Sequence, residues 1–249
     1  MEDSALETPH NHRQWMPQLA PVVSGSLLFW LVLPKLLPAR GGGAALACGT
    51  TAWCASDAID LAVSEILVFM PLFSGLLSHV FTMVACPVLS LHALRAANLD
   101  SAGTFRQDSA IFVATFAVNM GVNRIVKDAS ARQRPCYYWG REGATEASLF
   151  HSQEFRSFYS GDTSLAWAAV AAATSLLVCR GCNEAARRVA VRGAALAGVG
   201  SLLRIVGDMH WLTDVLVGTL AGIAIGAGMP PLILRAINDG DYVTLEHVV

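Results

Sequence analysis

Apolar residues fall in long runs separated by short charged punctuation. After Asp214 the chain is free of charge from Val215 to Leu234, long enough to cross a bilayer core, which takes about 20 mostly apolar residues. Thr163 to Cys179 and Pro21 to Pro34 are shorter and equally uncharged. Ile111 to Asn123 lies between Asp108 and Arg124, and Val189 to Leu203 is interrupted by Arg192 alone. From Leu61 to Leu94 runs an apolar region containing Glu65, His79 and His92, with turn residues near Pro71 to Gly75. This pattern predicts six helices at roughly 58–74, 76–96, 108–127, 163–180, 188–206 and 212–235, and an extra N-terminal apolar helix at Pro21–Pro34. Residues 1–18 are polar, and the stretch from Gly41 to Ala55 fits a loop, a re-entrant segment or a poor span. The chain thus divides into a polar N-terminus with an extra apolar segment (1–57), a helical core (58–235) and a polar tail (236–249).

Composition decides what kind of helical protein this is. The 249 residues are 54% hydrophobic and 14% charged, with a mean hydropathy of +0.48. Soluble domains average about 25% charge, and a soluble bundle needs that charge for its outer faces. The expectation is an all-α integral membrane bundle of six core helices plus the extra one. The net charge of −2 and the lack of a basic patch with interleaved aromatics exclude nucleic-acid binding. Met1-Glu2-Asp3 supplies no basic n-region, which argues against a cleavable signal peptide. Of the six cysteines, four lie in or beside apolar segments, where cysteine acts as a small hydrophobe. Cys179 and Cys182 have ligand-like spacing, but no second pair follows, which argues against zinc.

Charge also sets the orientation. The loop between the fourth and fifth helices, with its flanks, carries Arg180, Arg187, Arg188 and Arg192 against Glu184, the mark of a cytoplasmic loop. Segments 128–162 and 207–211 then face the other side, and their Lys and Arg residues run against the trend. Cations kept on the wrong side point to an anionic ligand.

Three constellations lie in or beside those segments. His210 and Asp214 are one helical turn apart, so the carboxylate can fix the tautomer of the ring and leave its other nitrogen as nucleophile or base. Arg204, six residues earlier, can grip phosphate oxygens bidentately. A helix-start histidine with a capping aspartate is an equal reading of that pair alone. Lys127 and Arg134 add two cations before Pro135, a pattern that by itself reads as a headgroup-binding basic cluster. Ser160-Gly161 opens a helix whose first N–H groups form an anion site, although in isolation ordinary capping by Ser160 or Asp162 is the better reading.

Taken together, the three are similar to a known signature. Lys127-Asp128-Ala129-Ser130-Ala131-Arg132-Gln133-Arg134-Pro135 and Arg204-Ile205-Val206-Gly207-Asp208-Met209-His210-Trp211-Leu212-Thr213-Asp214 resemble the first and third motifs of the type 2 phosphatidic acid phosphatase superfamily. That superfamily also holds glucose-6-phosphatase and the vanadium haloperoxidases. The resemblance spans about residues 58–235. It implies hydrolysis of a lipid phosphomonoester or diphosphate without metal or other cofactor, in contact with membrane lipids and with oligomeric state unspecified. The implied location is the plasma membrane, with the site on the extracytoplasmic side. It further implies that His210 attacks phosphorus and forms a phosphohistidine while Asp214 orients it. Lys127, Arg134, Ser160, Gly161 and Arg204 would hold the phosphate oxygens.

The second motif departs from the family. Where Pro-Ser-Gly-His is the pattern, this chain has Tyr159-Ser160-Gly161-Asp162, and Leu203 stands where a serine is common. The family's histidine protonates the leaving oxygen, help worth about 10² to 10⁴ in rate. Three readings of Asp162 follow. It is itself the acid; or the substrate is a diphosphate, such as a polyprenyl diphosphate, whose leaving phosphate needs a proton less than an alkoxide does; or the protein binds lipid phosphates with little or no turnover. His151 and Glu154 in the same loop are further candidates for the acid, although such loop residues are usually incidental.

Overall fold

The computed structural model describes residues 58–98, 102–149 and 153–246. All regular structure among them is helical. A short helix α1 (Ala58–Leu67) precedes a rod made of α2 (Pro71–His79), a π-helical segment (Val80–Ala85) and α3 (Cys86–Ala97). Then come α4 (Ala102–Ser130), a single turn α5 (Pro135–Tyr138), two 3₁₀ segments (Glu142–Ala144, Glu146–Leu149), α6 (Gly161–Cys179), α7 (Asn183–Val206) and α8 (Leu212–Glu246).

Five helical rods are long and apolar enough to cross a membrane: Pro71–Ala97, Gly103–Tyr138, Gly161–Cys179, Asn183–Val206 and Leu212–Asn238. The protein is therefore an integral membrane helical bundle. The first two expected helices are divided differently, however. The break falls at Val68–Met70, where Met70 adopts φ 42°, and the expected turn at Pro71–Gly75 lies inside α2. Proline is well suited to open a helix, because its missing N–H would have no partner there. Within the described residues α1 spans ten residues, about 15 Å, and is not among the five long apolar rods. The extra helix expected at Pro21–Pro34 lies outside the described residues.

α1 is also inside out. Its buried residues are Asp60 and Ser64, one turn apart, while Ile59 and Ile66 are exposed. A short helix that buries its polar face and shows its apolar one suits the membrane interface. In the adjoining rod the π-helical segment runs straight into Pro87. Proline cannot make the regular i→i−4 bond, and the wider π turn accommodates it.

α6 is the central rod, with Ala166, Ala169, Ala173, Leu176 and Leu177 buried. Its small residues let α8 approach closely. A Cβ at Gly218, Gly222 or Gly226 of α8 would collide with the carbonyl oxygens of Ser160, Ser164 and Ala168 respectively. Such a small-residue stripe is a standard packing device between apolar helices. Here it locks the first turns of α6 and α8 side by side, and the Ser160 amide donates to the Asp214 carbonyl (3.1 Å). At the opposite end, buried Asp108 accepts from Arg180 (2.7 Å) and Asn98 (3.1 Å).

Candidate active site

The alternation of the rods brings the end of α4, the starts of α6 and α8, and the end of α7 to one end of the bundle. All three sequence constellations meet there. Arg134 Nη1 donates to the Met209 carbonyl (3.3 Å), beside His210. Arg204 Nε lies 3.2 Å from Asp162 Oδ2. A Cβ on Gly161 would sit 3.5 Å from Lys127 Nζ and only 2.8 Å from Asn123 Oδ1, so the start of α6 packs directly on Asn123 with the Lys127 ammonium beside it.

His210 lies at the bottom of this cluster, 2% exposed. Burial, then Arg134, Lys127 and Arg204, push its ring well below the ordinary imidazole range, against a smaller opposing pull from the Ser157 backbone. The physical cause is that a charged ring would be poorly solvated and repelled by three cations. His210 is thus neutral at physiological pH and keeps a lone pair. α8 begins only at Leu212, yet Asp214 still reaches the ring: its Oδ2 lies 3.6 Å from Nδ1. That is too long for a hydrogen bond, and Nδ1 is buried with no bonded partner. Catalytic hydrogen bonds in unliganded sites are often long and tighten only with substrate.

Asp214 is itself held on every side. Ser157 Oγ and the Trp211 amide donate to Oδ2, and Arg132 Nη1 donates to Oδ1 (2.6 Å). Arg132 also donates through Nη2 to Asp60 of α1 (2.7 Å). Asp60 accepts in addition from the Thr213 amide (2.9 Å) and hydroxyl (2.6 Å). Asp60, Arg132 and Asp214 are all buried, so one guanidinium bridges two carboxylates out of water. Reading the motifs alone misses Asp60 and Arg132. Arg132 stands inside the first motif as a third basic residue, and that was the available signal.

The second-motif residues divide. Ser160 occupies the N-cap position of α6 but makes no side-chain capping bond; its hydroxyl donates to Thr163 Oγ1 (2.9 Å). The first amides of α6 have no partner within the helix and form a positive helix end. Asp162 faces two basic groups, Arg204 and His79, whose Nδ1 lies 3.4 Å from Asp162 Oδ2. His79 comes from α2, and its Nε2 is 2.7 Å from Glu146 Oε1. Glu146 accepts from Arg204 Nη1 through its other oxygen (2.8 Å). Burial raises the Glu146 carboxyl, but His79 and Arg204 together bring it down to about 2. Sequence reasoning noted His79 only as an ionisable residue in an apolar run and gave Glu146 no role.

Other residues of this end have structural partners. Arg134 Nε donates to the Gln153 carbonyl (2.9 Å), and Glu154 accepts from Gln133 (2.8 Å). His151 lies outside the described residues. Asp208 accepts two bonds from Arg141 and one from Ser64 of α1, while burial pushes its carboxyl up to about 6.

The arrangement has the parts of a phosphate site: converging cations, an open helix start and a neutral buried imidazole beside a carboxylate. Residues 108–237 match the model of the PAP2 superfamily, and the chain belongs to that superfamily. A similar solved structure is the crystal structure of the first transmembrane PAP2 type phosphatidylglycerolphosphate phosphatase from Bacillus subtilis. It is 19% identical with a TM-score of 0.47, over 88% of this chain and 97% of that one. No curated protein matches.

Proposed function

We propose that the protein hydrolyses a lipid phosphomonoester or diphosphate through a phosphohistidine on His210. The observation that carries this reading is the buried, neutral His210 beneath three cations, with Asp214 3.6 Å from its inner nitrogen. A binding site alone needs the cations. It does not need a neutral imidazole next to a carboxylate that is held by Arg132, Ser157 and the Trp211 amide.

In this mechanism Lys127, Arg134, Arg204, the Ser160 hydroxyl and the Gly161 amide hold the nonbridging oxygens. They stabilise charge on the transferring phosphoryl group, the main source of rate in phosphoryl transfer. His210 attacks phosphorus in line with the leaving oxygen, and the Asp214 carboxylate offsets the positive charge that develops on the ring. Water then releases phosphate. Asp162 belongs to the catalytic set by position. The site faces the extracytoplasmic side of the plasma membrane, because Arg180, Arg187, Arg188 and Arg192 cluster at the opposite end of the bundle.

A second reading, a lipid-phosphate binder with little turnover, draws on one observation. Arg204 is already paired with Glu146 and Asp162, so an incoming phosphate competes with two carboxylates for it. Phosphate release from a panel of lipid phosphates and diphosphates by wild type, His210→Ala and Asp162→His separates the two. Turnover by wild type that disappears in His210→Ala supports the enzyme. A silent wild type beside an active Asp162→His supports the binder.

A further inference from the structure

We propose that His79 is the proton donor to the leaving oxygen, oriented by Glu146 and steered by Asp162. This assignment rests on the phosphohistidine reading above and supplies the acid that the second motif lacks. The signature does not contain it: α2 lies outside residues 108–237, where the family model matches.

The geometry gives the two faces of the ring different tasks. Nε2 is fixed by a 2.7 Å contact to Glu146 Oε1, and Glu146 is in turn held by Arg204 through its other oxygen. A buried carboxylate that fixes one ring nitrogen leaves the second aimed at the chemistry. That second nitrogen, Nδ1, lies 3.4 Å from Asp162 Oδ2, at the position where the second motif meets Arg204. Asp162 Oδ2 also lies 3.2 Å from Arg204 Nε, so the carboxylate faces two basic groups. Only a doubly protonated imidazole donates toward both carboxylates.

Exposure separates the roles of the two histidines. The His79 side chain is 33% exposed, whereas that of His210 is 1% exposed. The nucleophile is thus deeply buried, and His79 is the more accessible of the two rings. As the His210–phosphorus bond forms and the phosphorus–oxygen bond breaks, the leaving oxygen takes the proton from His79 Nδ1. The ring keeps its Nε2 proton against Glu146. In the second step water attacks phosphorus, its proton returns to Nδ1, and the nitrogen–phosphorus bond breaks to restore His210. With this donor the site expels an alkoxide, so phosphomonoesters are substrates and the enzyme is not confined to diphosphates.

The test uses full-length protein in detergent with two substrates, phosphatidic acid and an aryl phosphate whose leaving phenolate needs no proton. In His79→Asn, turnover of phosphatidic acid is expected to fall by about 10² to 10⁴, the usual worth of general-acid help. Aryl phosphate turnover should fall by less than about tenfold, which also reports that the variant is folded. Asp162→His added to His79→Asn should recover at least about tenfold by restoring an imidazole to the second motif. Equal losses on both substrates would mean a structural role and overturn the assignment, as would an unchanged His79→Asn. A wild type that cleaves the aryl phosphate but never phosphatidic acid would overturn it too. His210→Ala is the separate control: full activity in that variant sinks the phosphohistidine reading itself.

Discussion

Two buried polar clusters flank the site, and they are built differently. On the nucleophile side, Asp60, Arg132 and Asp214 are closed off from solvent and tied by five short hydrogen bonds among themselves and Thr213. On the leaving-group side, Glu146, His79, Asp162 and Arg204 form a looser chain, with contacts from 2.7 to 3.4 Å and two members partly open. The first cluster fixes a geometry that must not change between substrates. In the proposed reaction the second faces the leaving group. A nucleophile needs one orientation, whereas a proton donor has to meet leaving groups of different shape, so rigidity belongs on the first side and accessibility on the second.

The contrast breaks most sharply at Asp214. Asp214→Asn should keep the packing yet cost about 10³ to 10⁴ in kcat, because an amide does not balance the charge that forms on the attacking ring. Equal loss of kcat and of thermal stability would instead make Asp214 a structural residue. Arg132→Ala comes next. Stranding two buried carboxylates should cost about 3 to 5 kcal/mol of stability, read as a fall in Tm in detergent. Asp60→Ala should give a smaller fall in the same direction.

On the looser side the expected effects are smaller. Glu146→Gln should lower kcat on phosphatidic acid by about 10- to 100-fold, with a milder loss of stability than Arg132→Ala. A loss as large as that of Asp214→Asn would show that the two sides are equally rigid. The smallest effect is a pH dependence. Burial holds Asp208 up at about 6, so the folded state binds its proton more tightly than the unfolded chain does. Stability from this group is fully present below the ordinary carboxylate value and is lost as pH rises through about 6. Glu146, held down at about 2, has the opposite sign: its contribution is present above the ordinary carboxylate value and is lost as pH falls toward 2. Asp208→Asn should flatten the Tm profile between about pH 4 and 6 and leave the lower window untouched.

The same two sides differ in how far the sequence revealed them. His210, Asp214, Arg204, Lys127 and Arg134 stand at fixed spacings on helix ends, so local periodicity brings them into one picture. The helical, membrane-embedded character was equally plain from the charge-free runs after Asp108, Asp162 and Asp214. Asp60, Glu146 and His79 were hidden because each is joined to the site only by tertiary packing across 58 residues or more. Hydropathy also misread α1. It counts apolar residues but not which face is covered, and α1 buries Asp60 and Ser64 while showing Ile59 and Ile66 outward. The expected helix at 58–74 also overran the break before Pro71. The better clue was physical: ionisable residues such as Asp60 and His79 within apolar stretches are costly and tend to be functional.

The central claim is that His210 is the covalent nucleophile. Rapid acid-free quenching of the protein with lipid substrate carrying labelled phosphate tests it most directly. Wild type should hold label on His210 in an acid-labile, base-stable bond, and His210→Ala should hold none and release no phosphate. Label elsewhere in the chain, or undiminished phosphate release from His210→Ala, would contradict the account.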